Sequence, residues 1–543
     1  MRYGWFCRIG LAVCSIAGSA GSARAEKGRV DAPDVLLIVA DDLGFSDLGC
    51  YGGEIPTPHL DALAARGLRF SQFYNSARCS PSRAALLTGL HPHEAGMGML
   101  AEDPLTRAPA HAGPGYRRFL APEVQTLPER LQSAGFATAL SGKWHLGAHG
   151  EEKWPLARGF AHFYGILYGS SSYHRPVQPR GFVRQNKLLA PPEDGFYATD
   201  AIATDAIGFL RERGQDERFF LLLSFTAPHW PLHARDEDIA RFVGTYQTGW
   251  DRLRRERFAR QQALGVVPAQ AVLSPRDDAV RAWMELSAEE QRQADYRMAV
   301  YAAQVHRMDF AIGQVVESLR ELGRLDRTLI VFLSDNGASA EPYTELGGGP
   351  IAAVNDPAAG GLGGQRDPGG GSSYGIGWAN LSNTPFRRYK SRLYEGGVRT
   401  PAIVHWPAGL RVPAGSITPA PAYVTELWPT ILELCETAAP ATTSDATVAT
   451  PRGRSLVPVL QGQQLATEPE LYWEQYGHRA VRRGDWKAVR TDLPGATWEL
   501  YDLANDPTEL HDQAGTYPAR LSRLTAAWES WASSAQVFPV TVE

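Results

Sequence analysis

The chain of 543 residues carries a formal net charge of −5 and is 44% hydrophobic. That length suffices for two or three average domains, or for one large α/β domain with an appendage, and it can bury a sizeable core. The acidic balance leaves no footprint for nucleic acid, so any anion site must be local, and five cysteines are too few for a disulfide framework.

At the amino terminus, Arg2 and Arg8 flank the start of an apolar stretch from Ile9 to Ile16, and small residues lead to Ala23-Arg24-Ala25. This pattern predicts a signal peptide over residues 1–25, cleaved before Glu26, and a periplasmic or secreted protein. The stretch is too short and too rich in Gly and Ser to read as a membrane span. No other apolar run approaches that length, so no membrane partner is expected after cleavage. Cys50, Cys79 and Cys435 then remain, an odd number, with one bridge between Cys50 and Cys435 left open.

Further along, short apolar runs alternate with helical patterns, which argues for a largely parallel sheet covered by helices. Val35 to Ala40 reads as a buried strand ending in Asp41-Asp42. Phe219 to Phe225 reads as another, running into Thr226-Ala227-Pro228-His229, and Thr328 to Leu333 as a third, ending in Ser334-Asp335-Asn336-Gly337. Met298, Tyr301, Val305, Met308, Ile312, Val315, Leu319 and Leu322 recur at helical spacing up to Gly323. In open α/β sheets the ligand crevice lies at the carboxyl ends of strands, so these three ends are expected to face one site.

Other segments read more plainly. The charged run Arg252 to Arg260 suggests a solvated helix face, Gly347 to Gly377 a long surface loop, and Ala438 to Thr450 a linker or surface excursion. Beyond it, Glu470 to Glu474, His478 to Arg482 and Trp486 to Arg490 suggest a small antiparallel sheet, closed by a helix near Arg520 to Trp531.

Chemistry enters with the motifs. Cys79-Ser80-Pro81-Ser82-Arg83 taken alone is a Pro-Ser turn entering a helix over Ser82 to Leu90, and the acidic strand ends taken alone are turns. Taken together, Asp41, Asp42, Asp335 and Asn336 offer only hard oxygen ligands, which suit one Ca²⁺, or Mg²⁺, better than a transition metal. The basic candidates are Arg83, Lys143, His145, His229 and Lys390. Cations mixed with carboxylates suit a dianionic transition state. His59, His91, His111, His162, His174 and His306 read as structural, and His233 could serve either purpose.

The segments V-A-D-D-L-G, C-S-P-S-R-A-A-L-L-T-G, G-K-W-H-L-G, A-P-H-W-P-L, S-D-N-G, Y-K-S-R-L-Y-E-G-G and G-D-W-K resemble, in order, the blocks of type I formylglycine-dependent sulfatases, closest to the bacterial arylsulfatase branch. The resemblance spans nearly the whole mature chain; Glu426 stands where an aspartate is common. It implies an alkaline-phosphatase-like α/β fold, a large mixed sheet flanked by helices with a smaller carboxyl-terminal subdomain holding an antiparallel sheet and a helix. The expected division is a catalytic domain over residues 26–462 and a subdomain over 463–543.

The resemblance further implies that a maturation enzyme converts Cys79 to formylglycine, whose hydrate attacks a small sulfate ester and passes through a sulfo-enzyme intermediate. Asp41, Asp42, Asp335, Asn336 and residue 79 would hold Ca²⁺. Arg83 would steady the hydrate, and Asp335 would help deprotonate its attacking hydroxyl. Lys143, Lys390 and His229 would grip the sulfate, His229 and Lys390 would protonate the leaving oxygen, and His145 would take the proton of the second hydroxyl. Phosphonate or phosphodiester hydrolysis, or an unmodified sulfate-binding protein, are the alternatives.

Overall fold

A computed structural model describes Met1, Gly4 and residues 32–102, 113–341, 373–437 and 451–537. The signal-peptide pattern, His111, the glycine-rich region up to residue 372 and the linker-like segment 438–450 lie outside the described residues.

The apolar run at Val35 becomes β1 (Asp34–Ala40), buried along its whole length, as a strand covered on both faces must be. The other strands of its sheet are β2 (Leu68–Tyr74), β3 (Ala137–Lys143), β4 (His162–Ile166), β5 (Phe182–Arg184), β6 (Lys187–Leu188), β7 (Phe219–Ser224), β8 (Thr328–Ser334), β9 (Arg399–His405), β10 (Ser416–Thr418) and β11 (Ala422–Tyr423). They run in the order β10-β2-β9-β8-β1-β7-β3-β4-β5-β6, with β11 also on β2. The stretch from β8 to β4 is parallel, and β9 and β5 turn antiparallel on either side of it. The sheet is therefore mixed around a parallel centre.

Register decides where the chemistry goes. Ala40 stands opposite Ser334, and Val39 and Gly142 both stand opposite Ser224. The parallel strands thus end level, and the residues that follow them are delivered to one edge of the sheet.

The helices begin with α1 (Pro58–Ala65), α2 (Cys79–Thr88), α3 (Leu127–Ser133), α4 (Ala198–Arg211), α5 (Asp236–Ile239), α6 (Trp250–Leu264) and α7 (Ala288–Glu321). The predicted apolar stripe of α7 is buried from Met298 to Leu319, each large side chain contributing about 1.5–3 kcal/mol. The helix starts earlier than the stripe, at a capping box in which Ser287 Oγ accepts from Glu290 N and Glu290 Oε2 accepts from Ser287 N. Its first turns are polar, so apolar spacing carries no trace of them.

One expectation is corrected and one open pairing is decided. The charged run in α6 is a solvated face only in part: Arg252 and Arg255 are exposed, but Arg257 is fully buried, with its guanidinium 2.7 Å from Asp47 and 2.6 Å from Glu54. A buried guanidinium is tolerated when carboxylates satisfy its donors, and a sequence cannot show those distant partners. The bridge left open between Cys50 and Cys435 does not form; Cys50, Cys79 and Cys435 are all free thiols. Cys50 lies by Asp61 and Arg69, whereas Cys435 lies by Arg218 and Asp34.

The second sheet holds the three expected strands, β12 (Glu470–Gln475), β13 (His478–Arg483) and β14 (Trp486–Arg490), and an unforeseen fourth, β15 (Glu499–Asp502). The helix Pro518–Ser534 packs Leu524 and Trp528 on Tyr472, Val481, Ala488 and Leu500. Because side chains alternate along a strand, Trp473 faces the other way, and its indole donates to Asn75 O at 2.7 Å. Both sheets lie within one unit, Ala32–Glu543. From Ala422 to Leu434 the chain forms the short strand β11, a single 3-10 turn and the helix Leu427–Leu434. There Glu426 holds Arg454 at 2.5 Å.

Candidate active site

Six chain segments converge at the carboxyl edge of the parallel strands. β1 delivers Asp41 and Asp42, β8 delivers Asp335 and Asn336, β3 delivers Lys143 and then His145, and the loop after β7 carries His229. Cys79 is the first residue of α2, at the positive end of the helix. The turn before it is tied locally: Ser76 N donates to Ser82 Oγ at 2.9 Å and Ala77 N to Asn75 Oδ1 at 3.0 Å. Lys390 comes from the loop ahead of β9. Asp42, Ala77 and His145 have φ of 66°, 59° and 60°. Left-handed backbone at residues other than glycine costs energy and gathers at functional sites.

The predicted charges meet as pairs. Lys143 Nζ lies 2.6 Å from Asp41 Oδ2, and Lys390 Nζ 2.8 Å from Asp42 Oδ1. Arg83 donates from Nε to Asp335 Oδ2 at 2.9 Å and from a terminal nitrogen to Ser224 Oγ at 2.5 Å. Asn336 Nδ2 donates to Asp42 Oδ1 at 2.6 Å, and Cys79 Sγ sits 4.0 Å from that same oxygen. Gly142 lets β3 approach its parallel neighbour β7 closely, since a Cβ there would lie 1.8 Å from Ser224 O.

Burial and charge set the protonation states. Burial works against Asp42, yet Lys390 and His229 hold its carboxyl well below the usual range. Asp335 is shifted up, first by burial and then by Asp41, with Arg83 opposing. Burial pushes the Cys79 thiol up despite Lys143 and Lys390. Lys390 stays charged against burial because Asp42 and Glu341 face it. Burial lowers His145 and His229 each to about 3, so both imidazoles are neutral at pH 7. His229 Nδ1 meets Trp230 O at 2.5 Å and donates to it, leaving Nε2 on the side of Asp42 at 3.5 Å.

A cation fits here. Asp41 Oδ1 and Asn336 Oδ1 are buried oxygens without a hydrogen-bond partner, and such groups call for an explanation. Ligand atoms of Asp41, Asp42, Cys79 and His229 lie within 4.8 Å of one another. Asp335 stands at the rim of that group with Oδ2 engaged by Arg83. Of the four clustered donors two are carboxylate oxygens and the others are the Cys79 sulfur and a His229 ring nitrogen, with the free Asn336 oxygen as a further hard donor.

Other groups at the site carried no sequence signal. Glu102 Oε2 meets His145 Nε2 at 2.7 Å. Tyr173 donates to Thr226 O at 2.7 Å and to His229 O at 2.9 Å, pinning the loop of His229. Glu341 lies 3.7 Å from Lys390 and also pairs with Arg78. Each is an isolated polar residue in a loop, joined to the site only by folding. His233 is fully buried against Tyr173 and His174, and no hydrogen bond or ion pair joins it to the catalytic cluster. His59, His91, His162, His174 and His306 take contacts elsewhere, as expected of structural histidines.

The chain is similar to known sulfatases along most of its length. The sulfatase family model matches residues 33–437, and the model described as N-sulphoglucosamine sulphohydrolase, C-terminal, matches residues 386–521. An uncharacterized sulfatase of Schizosaccharomyces pombe is 36% identical over 521 residues, covering 91% of this chain and 92% of its own. An arylsulfatase of Klebsiella aerogenes is 36% identical over 428 residues, covering 77% of this chain and 89% of its own. Among solved structures, Ps i-CgsB in complex with k-i-k-neocarrahexaose superposes with a TM-score of 0.66 at 26% identity, over 93% of this chain and 94% of the other. The match over residues 33–437 and the 36% identity to a sulfatase that is covered almost end to end show that this chain belongs to the sulfatase family.

Proposed function

We propose that the protein hydrolyses sulfate esters, aryl sulfates foremost, with residue 79 as nucleophile after a formylglycine-generating maturation enzyme has converted Cys79 to formylglycine. The observation that carries this is the state of the thiol itself. A cysteine nucleophile needs a depressed pKa and access to solvent, whereas Cys79 is 1% exposed and its thiol is pushed up by burial. Yet Lys143, Lys390, Arg83 and His229 surround it. The machinery is built around an atom that, as encoded, is inert.

Formylglycine, as its hydrate, supplies two hydroxyls on one carbon, so that one accepts the sulfuryl group and the other later expels sulfate. Arg83, fixed by Asp335 and Ser224, orients residue 79. Asp335, already shifted toward accepting a proton, takes the one released on attack. Lys143, Lys390 and His229 bind the sulfate charge, and His229 and Lys390 deliver the proton to the leaving oxygen, the neutral His229 first taking up a proton on Nε2 when the anionic ester binds beside it. His145 takes the proton of the second hydroxyl. Asp41, Asp42, Asp335 and Asn336, with residue 79, would hold one Ca²⁺, or Mg²⁺, which supplies positive charge beside the sulfate oxygens. Removal of residues 1–25 and export to the periplasm or medium belong to the same proposal, on the strength of the Ala23-Arg24-Ala25 pattern.

A steady-state comparison tests the reaction class. The exported protein is assayed with 4-nitrophenyl sulfate, the matching phosphate monoester, a phosphodiester and a phosphonate monoester, then with alkyl and sugar sulfates. The proposal expects the highest kcat/KM on a sulfate ester. A preference for a phosphodiester or phosphonate would replace it with the other hydrolase reading, and no turnover by aldehyde-bearing protein would leave a binding protein.

A further inference from the structure

The histidine assigned to sulfate release is held by groups that no motif covers. Glu102 spends one carboxylate oxygen on each of two neighbours: Oε1 accepts from Gly169 N at 2.6 Å, and Oε2 meets His145 Nε2 at 2.7 Å. Gly169 leaves room for this, since a Cβ there would lie 2.6 Å from His145 Cε1 and 3.1 Å from Glu102 Oε2. His145 is 2% exposed with its backbone in the left-handed region, and its amide donates to Leu167 O at 3.1 Å. The ring is therefore clamped from the Nε2 side by a carboxylate and from the backbone by the strand-end loop. Its other nitrogen, Nδ1, is buried and has no hydrogen-bond partner.

A carboxylate only accepts hydrogen bonds. Facing it, His145 Nε2 must carry a hydrogen, and in the neutral ring Nδ1 then keeps the lone pair. We propose that Glu102 is a positioning residue that fixes His145 as the Nε2–H tautomer and so makes Nδ1 the base of the sulfate-releasing step. In that step the hydroxyl proton of residue 79 passes to Nδ1. The carbon–oxygen bond to sulfate breaks with its electron pair leaving on sulfate, and the remaining oxygen forms the C=O of the restored aldehyde. Burial of the imidazole keeps it neutral until that transfer, and Glu102 stabilises the cation that results. Glu102 is itself held ionised, against burial, by His145 and by Arg180.

This inference rests on the proposed formylglycine chemistry, and its test separates the two. Glu102→Ala and Gly169→Ala are compared with wild type; the second keeps the carboxylate and displaces the pair. With 4-nitrophenyl sulfate, kcat should fall about 10- to 100-fold while kcat/KM stays near the wild-type value, because attack precedes the affected step. A burst of one nitrophenol per active site should appear, and the peptide bearing residue 79 should carry trapped sulfate. Independently of turnover, the ¹⁵N shifts of His145 in the Cys79→Ala protein should show a protonated Nε2, lost when Glu102→Ala is added. A parallel fall in kcat and kcat/KM without a burst, unchanged kinetics, or a His145 tautomer indifferent to Glu102 would overturn the proposal. A wild-type residue 79 found as a thiol in active protein would instead overturn the formylglycine reading, with the tautomer measurement still deciding the role of Glu102.

Discussion

Lys487 on β14 reaches out of the second sheet to Glu395, just ahead of β9 in the first, 2.8 Å from Nζ to Oε1, with both side chains fully buried. Glu395 lies five residues after Lys390, so this contact ties the carboxyl-terminal sheet to the loop of a lysine proposed to bind the sulfate. Glu509 Oε1 joins at 2.9 Å and Tyr74 donates to Glu395 Oε2 at 2.7 Å. The motifs Y-E-G-G and G-D-W-K are thus two halves of one interaction. Removing one partner strands buried charge, which costs about 3–5 kcal/mol. Lys487→Met should lower the urea midpoint accordingly and reduce turnover, and adding Glu395→Gln should restore part of the stability. Additive losses in the double mutant would show that the pair is not coupled.

The leaving-group proton gives a second prediction. General acid catalysis contributes most when the departing oxygen is strongly basic. Lys390→Ala and His229→Ala should each slow alkyl sulfates, or aryl sulfates with electron-donating rings, much more than 4-nitrophenyl sulfate. The losses on poor leaving groups should reach about 10²–10⁴-fold, with a steeper dependence of rate on leaving-group pKa than in wild type. Equal losses across the series would reduce both residues to binding the sulfate.

A third concerns the cation. Asp41 and Asn336 each keep a buried oxygen unpartnered, so binding of Ca²⁺ should stabilise the fold by about 2.7 kcal/mol at a hundredfold excess over Kd. Chelation should lower both Tm and rate, Ca²⁺ should restore them, and Asp335→Ala should weaken occupancy and turnover together. Two stoichiometric zinc ions on elemental analysis, or indifference of Tm to chelator and Ca²⁺, would count against the site.

The contribution of one buried carboxyl to stability should fall across the acid-to-neutral range, opposite to that of the depressed carboxylates. Burial raises Asp309 from 3.8 to about 7, although His59 N and Leu60 N donate to it. Below pH 3.8 both folded and unfolded chains hold that proton. Between there and about 7 only the folded chain does, so its stabilising contribution is lost as pH rises through the folded pKa. The slope from one group is at most about 1.4 kcal/mol per pH unit. Asp309→Asn should remove that slope, seen as a stability difference from wild type that changes between pH 3.8 and about 7. A difference constant with pH would show that Asp309 ionises normally.

What the sequence reveals follows from range. β1, β7 and β8 are unbroken apolar runs ending in polar residues, so strand and strand-end chemistry are written side by side and Asp41, Asp42, His229, Asp335 and Asn336 can be read together. Their convergence follows from the parallel register, which a connectivity rule anticipates. The roles of Arg257, Glu102 and Lys487 are illegible in the sequence because their partners Glu54, His145 and Glu395 stand 203, 43 and 92 positions away, and only tertiary packing joins them. β15 escapes notice because Glu499-Leu500-Tyr501-Asp502 is too short for alternation to register.

The central claim is that residue 79 works as an aldehyde, and mass measurement of the exported protein tests it most directly. The peptide spanning residue 79 is analysed alongside specific activity, with and without a co-expressed maturation enzyme. The account predicts a CHO group in place of CH₂SH, an activity that rises in proportion to that conversion, and a folded but inactive Cys79→Ala protein. Full activity in a protein whose residue 79 is entirely an unmodified thiol would contradict it.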